Sequence, residues 1–205
     1  MLPQVVTYLP GLRPLSTMEL YTDTYYIQRI QAGDVACFAC LLDKYSRPIH
    51  SLILKVVRSQ EEAEELAQDT FMKVFKNLAS FKGDCSFSTW IYRIAYNTAV
   101  SETRRRKREW ACIDQARLAN LPDSEAERMD AWEGRQEYLD ALARAVGELE
   151  PEERALVTLF YYEEYSVSEC AGITQMSESN IKVRLHRIRK KLYILVNTQL
   201  HGSEK

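Results

Sequence analysis

The chain has 205 residues, of which 46% are hydrophobic and 27% charged, and its formal net charge is −2. That length suits one large domain or two small ones with real cores, and the near-neutral total excludes neither an acidic nor a basic partner. No apolar run approaches the roughly eighteen residues of a membrane span, and the prolines of MLPQVVTYLPGLRPL interrupt the apolar helix that a signal peptide needs, so a cytoplasmic protein with no stable membrane insertion is expected.

In chain order, residues 1–20 read as a loose lead-in. A first helix is predicted from Asp23 to about Gln31, and Gly33-Asp34 stops it. A second helix buries Phe38, Leu41, Leu42, Tyr45, Ile49, Leu52, Ile53 and Val56 on one face, and Pro48 inside it predicts a kink or a break. The five cysteines are an odd number scattered through helices, which does not look like a disulfide framework. Cys37 and Cys40 form a CxxC without a second CxxC or an HxxxH, and read as small core residues rather than metal ligands. A third helix begins near Gln60, with acids in its first turns and the stripe Ala63, Leu66, Ala67, Thr70, Val74 and Leu78. Lys82-Gly83-Asp84-Cys85 reads as a loop. Ser86 then caps a fourth helix that buries Phe87, Trp90, Ile91, Ile94, Ala95 and Thr98.

The net charge is unevenly divided. Residues 1–108 hold 15 Lys/Arg against 11 Asp/Glu, residues 109–153 hold 4 against 13, and residues 154–205 hold 8 against 5. Residues 109–134 therefore read as an acidic linker, whose charge could lie against the basic faces of the free chain. Helices follow at Gln136–Leu149 and from Pro151 through Tyr162, and Glu164–Leu192 closes the chain with a helix-turn-helix pattern. The expectation is an all-α protein of two small helical domains, a four-helix domain over 21–108 and a helix-turn-helix domain over 135–200, joined by that linker.

Two elements carry chemistry. Ser177 is an N-cap, and Ile181, Leu185, Ile188 and Leu192 recur on one helix face. The opposite face carries Ser179, Lys182, Val183, His186, Arg187 and Lys190, which suits a helix laid in the DNA major groove and equally fits a basic surface helix that binds nothing. The fourth helix sets Thr89, Tyr92, Arg93 and Tyr96, flanked by Asn97, away from its apolar stripe, and ends in the cations Arg104–Arg108. Rings beside arginines and an amide suit unstacked bases; an ordinary core helix with solvated cations fits as well. His50, His186 and His201 are far apart, no paired carboxylates or metal spacing stand out, and no GxxxxGK[ST] occurs, so neither an enzyme nor a cofactor is expected.

AEELAQDTFMKVFKNL followed by SFKGDCSFSTWIYRIAYNTAVSETRRRKR resembles the second domain of bacterial sigma factors, and LEPEERALVTLFYYEEYSVSECAGITQMSESNIKVRLHRIRKKL resembles the fourth. The resemblance is to the extracytoplasmic-function (ECF) group of the sigma-70 family, which keeps these two domains. It implies a monomeric subunit of RNA polymerase that directs promoter recognition and transcription initiation. The fourth domain would hold the −35 element as duplex through Ser177, Ser179, Lys182, Val183, Arg184, His186, Arg187 and Lys190. The second would melt and capture the −10 element through Lys82, Gly83, Asp84, Ser86, Trp90, Arg93, Tyr96, Asn97, Arg104 and Arg105. Glu65, Gln68, Asp69, Met72 and Lys76 would meet the clamp helices of core RNA polymerase, and the fourth domain its flap. The implied partners are promoter DNA, core polymerase and an inhibitory anti-sigma factor. Cys170 for an aliphatic residue, Gly172 for a helix former and Gln175 at a turn position that often holds Gly depart from the family pattern. The alternative is a stand-alone helix-turn-helix regulator, which leaves the Trp90–Arg108 helix unexplained.

Overall fold

The structure, a computed structural model, describes residues 22–105 and 136–201. The expected lead-in, the cations Arg106–Arg108 and the acidic linker lie outside the described residues. Every regular element among the described residues is helical: α1 (Asp23–Gln31), α2 (Phe38–Val57), α3 (Gln60–Asn77), α4 (Phe87–Arg105), α5 (Gln136–Glu148), α6 (Pro151–Val157), α7 (Val167–Thr174) and α8 (Glu178–His201). The chain divides into two compact units, Met1–Lys44 and Tyr45–Lys205.

In the first unit, Asp23 at the start of α1 receives Lys44 Nζ at 2.6 Å, and Arg29 near its end pairs with Asp34 at 2.5 Å. Gly33, at φ +102°, makes the turn that ends α1. Asp34 also accepts from Cys37 Sγ at 3.3 Å, so that thiol is buried as expected, whereas Cys40 of the CxxC is only half-buried.

Pro48 does not break α2, which runs through it to Val57. One lost donor is outweighed where Ile49, Leu52, Ile53 and Val56 are all fully buried. Leu42, assigned to the buried stripe by its periodicity, is instead 40% exposed, and Phe38 is only half-buried. Periodicity identifies the apolar side of a helix but not how far its neighbours reach along it. In the second unit Ser59 caps α3, accepting from the Glu62 amide at 3.4 Å, and the whole predicted stripe of α3 is buried together with Phe71. Ser86 caps α4 as expected, accepting from the Thr89 amide at 3.1 Å.

Helix α4 is buried on two sides. Phe87, Ile91, Ala95 and Thr98 lie in the expected core, with Trp90 and Ile94 half-buried beside them. Thr89, Tyr92, Tyr96, Val100 and Thr103 are buried as well. Their cover comes from α6 and α7, which pack on α4. The helix predicted from Pro151 through Tyr162 is α-helical only to Val157. Thr158–Tyr162 widens into a π turn, closed by the Glu163 amide on Thr158 O at 2.9 Å.

Arg154 ties this half to the end of α2. Its guanidinium is 2% exposed and donates to Lys55 O at 2.8 Å, Val56 O at 2.5 Å and Leu149 O. Those carbonyls include the last acceptors of a helix, which lack intrahelical donors. Arg58, at φ +64°, ends α2 and adds a bond to Gly147 O at 2.7 Å. In the helix-turn-helix, Ser166 and Glu169 form a reciprocal capping box on α7. Gln175 ends α7 at φ +61°, the left-handed conformation that glycine adopts at less cost.

Two stability outcomes follow from these positions. Arg154→Met strands buried acceptors and should cost about 2–4 kcal/mol in urea unfolding. Gln175→Gly should raise stability by about 0.5–1 kcal/mol, seen as a higher midpoint at unchanged slope.

Candidate nucleic-acid interface

Helix α8 is the more regular of the two candidate surfaces. Ser177 caps it, accepting from the Asn180 amide at 3.3 Å. Ile181, Leu185, Ile188 and Leu192 are buried, as their spacing predicts, while α5 and α7 pack on the same helix. Ser177, Ser179, Lys182, Val183 and Arg187 are exposed, and His186 and Lys190 are half-buried. Val183 is 46% exposed, an apolar group held in solvent between cations. Arg184 differs from the rest: its Nη1 pairs with Glu152 at 3.1 Å. Cys170 fills the aliphatic position beneath this helix with no exposure, and burial pushes its thiol up to about 11, so it acts as a small apolar residue.

The second surface begins at the loop before α4. Lys82, Gly83, Asp84 and Ser86 are exposed, with Gly83 at φ +82°. Beneath them Phe81, Phe87 and Trp90 form a ring cluster at centroid distances of 5.1 to 5.8 Å. Trp90 is thus half-committed to holding the loop. Further along, Asn97 and Arg105 are exposed and line a groove of about 500 Å³ between α3 and α4, together with Lys73 and Asn77.

Tyr92, Arg93 and Tyr96 are not presented to solvent as their spacing suggested. Arg93 donates from Nε to Gly172 O at 2.8 Å. Tyr92 donates its hydroxyl to Glu163 at 2.7 Å and stacks edge-on with Tyr165 at 4.9 Å. Tyr96 is 4% exposed. The exposed Arg104 pairs with Glu152, the same carboxylate that holds Arg184. Hydropathy periodicity scores tyrosine and arginine as outward-facing, yet both bury large apolar bodies when a second partner supplies acceptors. That partner includes Glu152, Glu163, Tyr165 and Gly172, none of which the sequence marked as part of this surface. Gly172 carried the only signal, as a glycine inside a helix. A Cβ there would meet Thr89 Cγ2 at 3.3 Å, so the missing side chain lets α7 approach α4.

The expected polymerase-facing residues Glu65, Gln68, Asp69, Met72 and Lys76 all lie exposed on α3. Met72 is 56% exposed and Phe75, which the periodicity passed over, 43%. Two large apolar groups on one polar helix face suit a protein partner.

Two family models match the chain. The family model described as Sigma-70 region 2 matches residues 41–109, and that described as Sigma-70, region 4 matches 139–192. Together they span more than half of the chain. The chain belongs to the sigma-70 family. Among curated relatives, this sigma factor is 29% identical to the RNA polymerase sigma-H factor of Pseudomonas aeruginosa, over 83% of its own length and 91% of the relative's. It is 27% identical to the ECF RNA polymerase sigma factor SigW of Bacillus subtilis, over 81% and 92%, and 27% identical to the ECF RNA polymerase sigma-E factor of Escherichia coli, over 85% and 94%. It is an ECF-type member, and its role is that of an RNA polymerase sigma factor in transcription initiation. Its fold is shared with CnrH, solved in complex with the cytosolic domain of CnrY, at a TM-score of 0.61 and 20% identity over 89% of this chain and 99% of that one. It is shared also with RpoE of Bartonella quintana, solved with the anti-sigma factor NepR, at 0.54 and 21% over 78% and 96%. No helix among the described residues is long and apolar enough to cross a membrane.

Glu152 gives the sigma factor a pH-dependent tie. Burial alone would raise its carboxyl, but hydrogen bonds and charge from Arg104 and Arg184 outweigh that and hold it below the usual 4.5. A depressed carboxylate contributes stability that is present above its unfolded value and is lost as pH falls through the folded one. Urea midpoints of the native chain should therefore fall more steeply below pH 4.5 than those of Glu152→Gln, while the two run parallel at neutral pH.

Proposed function

We propose that this sigma factor divides one promoter between its two surfaces. The segment 135–200 is the region 4 module, which grips the −35 element as duplex, and 21–108 is the region 2 module, which melts and holds the −10 element. Lys182, Val183, His186 and Arg187 face base edges, with Ser177, Ser179, Arg184 and Lys190 near phosphates. The observation that carries this is the α8 face, where an apolar stripe is buried and the opposite side exposes Lys182, Val183 and Arg187. In region 2, the loop of Lys82, Gly83, Asp84 and Ser86 receives a flipped base over the ring cluster that includes Trp90. Asn97 reads that base from α4, and Arg93, Tyr96, Arg104 and Arg105 serve the strand beside it. Holding the base offsets the few kcal/mol of unstacking, so melting needs no nucleotide hydrolysis and no catalytic group.

The Met72 face of α3, with Glu65, Gln68, Asp69 and Lys76, docks on the clamp helices of core polymerase, and region 4 meets the flap. The protein works in the cytoplasm as a monomer. An anti-sigma factor is its natural antagonist, as for the relatives solved with theirs.

Run-off transcription with core polymerase over a library of promoter fragments tests this directly. The complex should start RNA at a defined subset of fragments; selection no better than core alone would end the proposal. Arg187→Ala should cost about 1–3 kcal/mol in duplex binding and relax specificity at one upstream position. Asn97→Ala should leave closed-complex binding intact and reduce permanganate reactivity of the −10 thymines.

A further inference from the structure

We infer that Cys37 and Cys40 form a peroxide-reactive dithiol at the head of α2, where Cys40 meets the oxidant and Cys37 closes a disulfide. This site stands independently of the promoter reading. Its first support is placement. Cys37 is the last residue of the 3₁₀ turn Val35–Cys37, and Cys40 is the third residue of α2. Residues three apart on a helical turn share a face, and helix geometry sets their Cα atoms about 5 Å apart. That separation lies inside the range a disulfide spans. Among the described cysteines only these two stand so close in the chain.

The second support is the unequal access of the two thiols. Cys37 is 8% exposed and donates to Asp34, a carboxylate that also accepts from Arg29 Nε at 3.1 Å and Nη2 at 2.5 Å. Burial first, and then the bond to Asp34, push the Cys37 thiol up, so it rests as a protonated, protected group. Cys40 is the half-exposed member. The third support is a shared neighbour. Tyr26 is buried, and its hydroxyl is pushed up by burial first and then by Cys40 and Cys37. Both sulfurs therefore lie against one side chain of α1. Cys170, with no exposure, is closed to any oxidant of this kind.

The attacking form of a thiol is the thiolate. Cys40, deprotonated, attacks one oxygen of hydrogen peroxide and the O–O bond breaks. The departing hydroxide takes up the proton that Cys40 released and leaves as water. The Cys40 sulfur has then lost two electrons and is a sulfenic acid. The Cys37 sulfur attacks it, the S–OH bond breaks, and the hydroxide leaves as water with the proton that Cys37 gives up. Two thiols and one peroxide thus yield one disulfide and two waters. Cys37 no longer has a proton to donate, so oxidation releases the 3₁₀ turn from Asp34 while Arg29 still holds that carboxylate.

The test uses the reduced full-length chain. Under native conditions iodoacetamide should label Cys40 before Cys37, and urea should abolish the preference. Stoichiometric hydrogen peroxide should remove two hydrogen atoms by intact mass. Peptide mapping should place the bond between Cys37 and Cys40, and dithiothreitol should restore both thiols. Cys37→Ser should stop at a Cys40 sulfenic acid that dimedone traps, and Cys40→Ser should consume peroxide about tenfold more slowly than the native chain. Equal native labelling of the two thiols, first oxidation at Cys85 or Cys112, or no bond between Cys37 and Cys40 would each overturn the inference, as would undiminished peroxide consumption by Cys40→Ser. The mapping is made on the native chain, so it decides the matter even where a serine variant fails to fold.

Discussion

One helix carries two buried faces on overlapping residues. Helix α4 completes the region 2 core with Phe87, Ile91 and Ala95, and carries Thr89, Tyr92 and Tyr96 on a second face that is equally buried. In this structure α6 and α7 of region 4 cover that second face. In the sigma factor's proposed work the residues around it hold a DNA strand. Tyrosine and arginine allow both uses, since each combines an apolar body with a polar tip that accepts a protein or a nucleic-acid partner.

The balance of forces at this contact is suited to release. The Arg104 side chain is 70% exposed in its pair with Glu152, and an ion pair so solvated contributes little. The stronger terms are the buried hydroxyl of Tyr92 on Glu163 and the guanidinium of Arg154 on the last carbonyls of α2. A partner that offers equal or better acceptors, such as phosphates, can replace the first of these. Replacing the second requires water to reach the end of α2. Arg154 thus holds the end of α2 to the start of region 4 through buried bonds. Contacts between parts of one chain commonly have this mixed, transient character.

Much of the fold was legible in the residues. The limits of α1, the caps Ser86 and Ser177, and the buried stripes of α3 and α8 follow from local spacing, because each depends on neighbours a few positions away. The bounds of α5 fell within one residue for the same reason. The two motif blocks, taken in order, also identified the family. What the sequence did not reveal depends on residues far apart. The cover on Tyr92 comes from Glu163, and the bond to Arg93 from Gly172. No periodicity links positions so distant. Pro48 was a local signal that tertiary burial overrode, and Gln175 a local strain that the helix-turn-helix geometry imposes. The π turn at Thr158–Tyr162 left no local sign at all, although it sets the chain just ahead of Glu163. On α8 exposure followed the spacing, whereas on α4, for which an exposed face and an ordinary core helix fitted equally, Tyr92 and Tyr96 are buried and Asn97, Arg104 and Arg105 are exposed.

The most direct measurement of the central claim is the distance between α4 and α7 in solution, with fluorophores at the exposed Ser101 and Ser168. The free chain should show a single short separation that lengthens by tens of ångströms in the complex with core polymerase and promoter DNA. A long separation in the free chain, or one that promoter loading leaves unchanged, would contradict the account.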